Sequence, residues 1–356
     1  RIAPGTDPRL HLGYSFSDAD VRFIATLPPI QDGYGYSTID GQTYTVVMTR
    51  GRVTPPEGGA IDVSGSVFKV ADITRKPAIA DVTLHTASSL TAALSLLDQP
   101  PFNFMTKADK PVDLGQGQAR IDTTLRLPLQ KKILLSDVDY SVSGRVTGFR
   151  SDVLVPGRVI TAQEMAVAAT PEGLRITGPG RIGAVPFDVT YTQGFAPAQR
   201  GKARIEGSVE LSQKTAEEFG LGLPRGMVSG SGRGQVEIDL VKGQPGELHL
   251  RSGLGGIGLA IPELGWAKPA AASGKLEAQV RLGQPAKVER LALSASGLEA
   301  EGSVTMRAGG GLEVARFGKV KLDGWLDGSV SITGRGAGRS VALAMTGGTV
   351  DMRKMP

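Results

Sequence analysis

Apolar and polar residues alternate with period two through most of the chain, the pattern of strands that turn one side away from water. It is clearest in Ala119-Ile121-Thr123-Leu125-Leu127, Val138-Tyr140-Val142 and Val185-Phe187-Val189-Tyr191. It returns in Ala203-Ile205-Gly207-Val209-Leu211, Val236-Ile238-Leu240, Leu276-Ala278-Val280-Leu282 and Leu298-Ala300-Gly302-Val304. Arg120, Asp122, Arg126, Glu237, Asp239, Glu277, Gln279 and Arg281 fill intervening positions and are expected to face water. Glycine-rich links such as Gly178-Pro179-Gly180 and Gly230-Ser231-Gly232 punctuate the strands.

Two segments break the alternation with a helical pattern. Leu90–Leu97 has Ser89 as an N-cap candidate and stops before Pro100-Pro101, and Gln213–Phe219 follows Ser212 and ends at Gly220. Both are too short to form a covering layer, so the expected fold is all-β: an elongated, curled antiparallel sheet, a groove-like rod with a few short helices.

Internal similarity suggests how the rod is built. Gly117–Leu127 matches Gly201–Leu211 almost position by position. Helix, glycine pair and strand recur in the same order from Leu90 and from Gln213. A module of roughly a hundred residues is therefore expected twice, at 90–199 and 200–356, after a partial copy at 1–89, the three forming one continuous stack.

Composition narrows the chemistry. Glycine is abundant (49 of 356 residues) without a Gly-X-Y period, which fits many turns between many strands. There is no cysteine, which excludes disulfides and thiolate metal sites. No apolar run is long enough to cross a membrane as a helix. Arg1-Ile2-Ala3-Pro4-Gly5 has no signal-peptide character and reads as the edge of a piece of a longer protein. The net charge of +5 is compatible with anionic lipid or nucleic acid, but Lys and Arg are spread along strands without interleaved aromatics, which argues against nucleic acid.

No catalytic or metal constellation emerges, and no cofactor is expected. Gly178-Pro179-Gly180-Arg181-Ile182-Gly183 has the spacing of a dinucleotide fingerprint, but an alternating strand follows it where a phosphate-binding helix is required, so a β-turn is expected. His11, His85 and His249 are far apart and read as surface histidines on or beside strands. Asp137 and Asp139 read as a solvated strand face rather than a paired acid and base.

The aliphatic stripes are the remaining candidates. They are rich in Val, Leu, Ile and Ala and poor in aromatics, and no set of amphipathic helices exists to cover them. A sheet curled over such an interior can seat acyl chains. The candidate lining residues are Ile121, Leu125, Val142, Leu174, Ile176, Phe187, Val189, Ile205, Val209, Val236, Ile238, Leu276, Val280, Leu291, Leu293, Leu298 and Val304. Alternation alone does not separate open groove from closed core.

Several segments together resemble the AsmA-like superfamily, in particular its YhdP-like branch, with TamB-like proteins more distant. They are Ala92–Pro101, Gly115–Leu129, Val138–Gly144, Leu174–Gly180 with Val185-Pro186-Phe187, and the closing Leu322-Asp323-Gly324 and Gly347–Met352. The resemblance rests on pattern and covers nearly the whole chain. It implies an internal fragment of a bridge-like lipid transfer protein, anchored in the inner membrane by a segment outside this sequence and crossing the periplasm of a Gram-negative bacterium. Its expected partners are phospholipid acyl chains and, through other regions, the inner and outer membranes. The family offers no catalytic residues to carry over, and a non-enzymatic role is expected. The competing expectation is a scaffold for outer-membrane protein assembly or envelope integrity, working through an exposed strand edge. A glycan-binding adhesin is a third, for which Trp266 and Trp325 would have to form exposed platforms.

Overall fold

The computed structural model describes residues 10–22, 26–131, 133–224, 226–336, 339 and 341–354; the Arg1–Gly5 segment discussed above lies outside them. The fold is all-β and antiparallel, with three short α-helices among the described residues. The chain divides into two compact units, residues 1–178 with 194–198, and residues 179–193 with 199–356.

The first unit contains β1 (His11–Val21), β2 (Ile30–Asp40), β3 (Thr43–Val53), β4 (Ile61–Asp62), β5 (Val67–Val70) and β6 (Ala78–Ser89). Then come α1 (Leu90–Leu97), α2 (Phe104–Ala108), β7 (Gln116–Leu129), β8 (Asp139–Val155) and β9 (Arg158–Thr170). β10 (Gly173–Ile182) pairs with β9 and crosses the boundary between units. The second unit contains β11 (Val185–Gly194), β12 (Lys202–Ser212), α3 (Gln213–Glu218), β13 (Val228–Val241), β14 (Glu247–Ser252), β15 (Ile257–Ile261) and β16 (Trp266–Lys268). It continues through β17 (Gly274–Arg281), β18 (Lys287–Ala295), β19 (Leu298–Met306), β20 (Leu312–Leu322), β21 (Leu326–Thr333) and β22 (Ala342–Val350).

Most neighbours in sequence are neighbours in the sheet, because short turns return each strand beside the last. Ala295 pairs with Leu298, leaving a two-residue turn in which Gly297 takes φ +76°, a conformation that disfavours other side chains. The expected turn and links at Gly178–Gly180 and Gly230–Gly232 are instead strand: Gly178–Ile182 lie in β10 and Gly230–Gly232 in β13, and of the G-x-G-x-x-G spacing only Gly183 falls in the turn before β11, with no helix after it. β15 and β16 leave the meander as a side hairpin. The first rungs of β13 pair with β15, and the later ones with β14.

In the first unit the apolar face wraps around α1. The Ser89 hydroxyl accepts a hydrogen bond from the Ala92 amide at 3.0 Å and donates one to the Gly58 carbonyl at 2.7 Å, starting the helix and tying it to the β3–β4 connection. Ala92 and Leu96 pack against Met48, Val53, Ile61 and Val63 from β3 and the β4 region. Leu90 and Ala93 pack against Ala119, Val146, Phe149 and Ala162 from β7, β8 and β9. One helix thus fills the space between two stretches of the same sheet.

In the second unit the side hairpin does the covering. It carries Trp266 onto Leu298, Leu322, Trp325 and Leu326, and the indole Nε1 donates to the Ser296 carbonyl at 2.9 Å. The hairpin is attached to β13 yet packs on β19–β21, so the apolar face of this unit folds over on itself. The Gly311 amide also donates to the Gly220 carbonyl at 3.0 Å, joining the segment after α3 to the β19–β20 turn. Lys268 anchors the hairpin: it is 2% exposed, and its ammonium group donates to the carbonyls of Leu254 (2.8 Å), Ile257 (2.7 Å) and Pro269 (3.2 Å). Burial pushes its pKa down, while the three carbonyls satisfy all three donors.

Candidate functional site: an aliphatic face in the second unit

Directly opposed residues on antiparallel strands share a face, so the strand register identifies what lies side by side. One row across the second unit runs Val189, Gly207, Val236, Leu250, Ala278, Leu291, Gly302, Phe317, Val330. A second runs Tyr191, Ile205, Ile238, Leu248, Val280, Val288, Val304, Ala315, Ile332. A third holds Phe187, Val209 and Gly234 at one end and Leu276, Leu293, Ala300 and Val320 at the other. Except for the Tyr191 hydroxyl, no side chain in these rows carries a polar atom.

The dimensions follow from strand geometry. Three rows two residues apart make a band about 13 Å wide between its outer rows at ~3.3 Å per residue. The rows cross nine strands, β11–β14 and β17–β21, which at ~4.8 Å spacing is about 38 Å.

Two glycines let the strands come close. A Cβ on Gly302 would stand 2.8 Å from Phe317 Cδ1 and 2.7 Å from Phe317 Cα, where the β19–β20 register slips by a residue. A Cβ on Gly207 would stand 2.7 Å from Val189 Cα. Glycine and a bulge at such points give a sheet its curvature.

The other face is charged. Arg204 pairs with Glu206, Glu237 and Asp239, Arg290 with Glu301 at 2.9 Å, and Lys319 with Glu299 at 2.8 Å. Apart from Arg204 and Glu206, which are two residues apart on β12, these partners lie across strands, and all occupy the positions that alternate with the rows above. The sheet is a single layer with an ionic side and an aliphatic side.

Over β11–β14 and β17 the aliphatic side is not a closed core. Phe187, Val189, Ile205, Val209, Ile238, Leu276, Val280, Leu291, Leu293 and Val304 are all half-buried, and Val236 is at the margin of burial. The β19–β21 end differs: Val320 and Val330 (each 8% exposed) belong with Leu298 (5%) to the closed cluster under Trp266 and Trp325, and Leu293, Ala300, Phe317 and Ile332 pack against it. Both tryptophans are themselves buried there, so neither forms a surface platform. Burial pushes the Tyr191 phenol pKa up, the response of a hydroxyl beside an apolar surface, and its O–H donates to Gln193 Oε1 at 2.9 Å.

The first unit carries a shorter version. Val82, Leu125 and Tyr140 form one row, and Leu84, Thr123, Val142 and Ala169 another, all half-buried. Ile121 lies one row closer to α1 and packs against the cluster beneath it. Leu174 and Ile176 on β10 are half-buried and alternate with exposed Arg175.

Elsewhere the polar candidates stay on the surface. His85 Nδ1 is 2.6 Å from Asp122 Oδ1 and His11 Nδ1 is 2.8 Å from Asp40 Oδ1, both pairs exposed, while half-buried His249 is opposite Glu237 and Gln279. Asp137 accepts from the Leu134 amide at 2.9 Å in a short 3-10 turn, and Asp139 is exposed. Among the described residues no group of His, Cys, Asp or Glu is placed to hold a metal ion, and no helix is long and apolar enough to cross a membrane. Comparison with protein families, with curated proteins and with solved structures finds no match for this chain.

Proposed function

We propose that this chain is a segment of a periplasmic lipid transfer protein of the AsmA-like, YhdP-like kind, that it holds phospholipid acyl chains on the aliphatic face of its sheet, and that it catalyses no reaction. The observation carrying this reading is the set of aliphatic rows in the second unit, half-buried and outside any closed cluster over β11–β14 and β17, a stretch about 19 Å by 13 Å backed by an ionic face. Apolar rows left partly open to solvent rather than sealed under another layer mark a binding surface. The chemistry of the rows selects the ligand: branched aliphatic side chains offer dispersion contacts and almost no hydrogen bonds, which suits a hydrocarbon. Each methylene moved from water onto such a face contributes about 0.8 kcal/mol. A single bilayer leaflet is about 15 Å deep, so one lipid tail is short enough to lie wholly within the band.

The test is native mass spectrometry of the purified chain together with photocrosslinking from Ile205 and Val304. Bound phospholipid and crosslinks to its tails are expected. A ligand-free protein that crosslinks to no lipid would sink the proposal.

The scaffold reading keeps one observation in its favour. β22 pairs with β21 alone among the described strands, and Val341, Leu343 and Met352 in and beside it are more than half exposed. Such an edge can accept a further strand. The two readings separate on Ile205→Asp: a conduit loses function, whereas an edge scaffold keeps it and is disabled by Met345→Pro.

A further inference from the structure

We infer that one rim of the aliphatic face in the second unit receives the phosphate headgroup of an anionic lipid whose tail lies on that face; this rests on the function proposed above. The register brings one end of each strand to a common rim, at Lys202, Val241, Glu247, Arg281, Lys287, Thr305, Val314 and Thr333. On this rim and in the turns beside it stand Lys202, Lys242, Arg281, Lys287, Arg307 and Arg335, against Glu247 and Glu313. The opposite rim is balanced among the described residues: Glu217, Glu218, Asp323 and Asp351 stand against Lys214, Arg353 and Lys354, with Lys268 buried. One border of an apolar band is therefore cationic and the other is not.

Part of this charge is not consumed internally. Lys202, Lys287 and Arg335 are exposed and have no carboxylate partner among the described residues, while Arg281 is neutralised by Glu289 at 2.9 Å. Moreover, Arg281 and Lys287 are direct cross-strand partners. Glu289 already compensates Arg281, so this rung leaves Lys287 as the charge open to a bound anion. Lys202, Arg281 and Lys287 occupy outward positions on the last rung, beside inward Ala203, Val280 and Val288. Their long apolar stems let the charge reach over the strand end to a headgroup emerging from the face.

The experiment offers the full chain vesicles of equimolar phosphatidylglycerol and phosphatidylcholine, and identifies the lipid it extracts by mass spectrometry. Each well-placed basic residue favours an anionic lipid by roughly 5-fold, so phosphatidylglycerol should exceed phosphatidylcholine by at least that ratio. The triple variant Lys202→Gln/Lys287→Gln/Arg335→Gln, in exposed positions that leave folding intact, should extract both lipids equally, as should the wild-type chain in high salt. Equal extraction by wild type and variant overturns the inference and leaves the acyl-chain reading standing. Tight association with phosphatidylglycerol vesicles without extraction also overturns it, since the rim would then bind a membrane surface. If neither lipid is extracted nor vesicles bound, the function proposed above fails first, and this inference with it.

Discussion

The two units solve one problem in different ways. Each is an antiparallel meander with a polar side and an aliphatic side, and each follows a strand with a short helix. In the first unit the helix Leu90–Leu97 is apolar enough to be gripped from both sides, so the sheet closes on it. In the second, the helix Gln213–Glu218 buries only Thr215 and Ala216, and its other residues are Gln, Lys and Glu. Covering passes to the Trp266 hairpin, which protects Leu298, Leu322 and Leu326 and leaves much of β11–β14 and β17 only half-buried. The stripes on the strands are much alike in the two units. What is inserted between them decides whether a stripe becomes core or surface.

The largest effects should separate closed from open positions within the second unit. Leu322 is fully buried, and Leu322→Ala should destabilise by about 2–5 kcal/mol, read as a lowered urea midpoint. Ile205→Asp lies in the middle of the open rows, so its cost should be nearer 1 kcal/mol while it removes most of the co-purified lipid. If Ile205→Asp proves as destabilising as Leu322→Ala, those rows are ordinary core, and the difference between the units disappears.

Much of this was legible in the sequence, and the reasons for the remainder are physical. Period-two alternation located β7, β12, β17 and β19 and their faces, because a buried side forces that period. Both longer helices were legible from Ser89 and Ser212. The five-residue helix Phe104–Ala108 was not, since it is shorter than two turns and carries no apolar periodicity. The Trp266 hairpin was also missed: β15 and β16 are five and three residues long, too short for alternation to register. That omission explains Leu298, whose place on a strand face was legible but whose burial depends on a distant hairpin. Nor did the similarity of Gly117–Leu127 and Gly201–Leu211 mark equivalent places: β7 follows a helix, while β12 precedes one. One border between the compact units falls at 198/199, and within the first unit α1 binds β3 to β7. The basic rim could not be seen by scanning for charge clusters, because register assembles it from strand ends and turns spread between Lys202 and Arg335.

A smaller effect should distinguish the helix starts. Ser89 makes a true cap on the Ala92 amide, so Ser89→Ala should cost about 1 kcal/mol. The Ser212 hydroxyl makes no capping bond to the backbone, donating to Glu210 at 3.2 Å, so Ser212→Ala should cost a few tenths at most. Equal costs in chemical denaturation would mean that α3 is as integral to its unit as α1.

The smallest difference concerns how the units hold their carboxylates. In the first unit, hydrogen bonds from the Ser64 hydroxyl and amide keep the Asp62 pKa below its ordinary value, and those from the Thr106 amide and hydroxyl do the same for Asp98. In the second, the ammonium groups of Lys275 and Lys319, through hydrogen bonding and charge, lower Glu277 and Glu299. All four are lower folded than unfolded, so each contributes stability that is present above the ordinary carboxylate range, near pH 4, and is lost as pH falls through its folded value. The causes respond differently to salt. Neutral hydroxyl and amide donors are not screened, whereas exposed ion pairs weaken as the Debye length shrinks from ~8 Å near physiological salt to ~3 Å at 1 M. Side-chain carboxyl titration by NMR at the two salt concentrations should therefore leave Asp62 and Asp98 in place and move Glu277 and Glu299 upward. Since Glu277 and Glu299 belong to the ionic face behind the aliphatic rows, a common shift of all four would mean that this face is held by no more than the ordinary turn chemistry of the first unit.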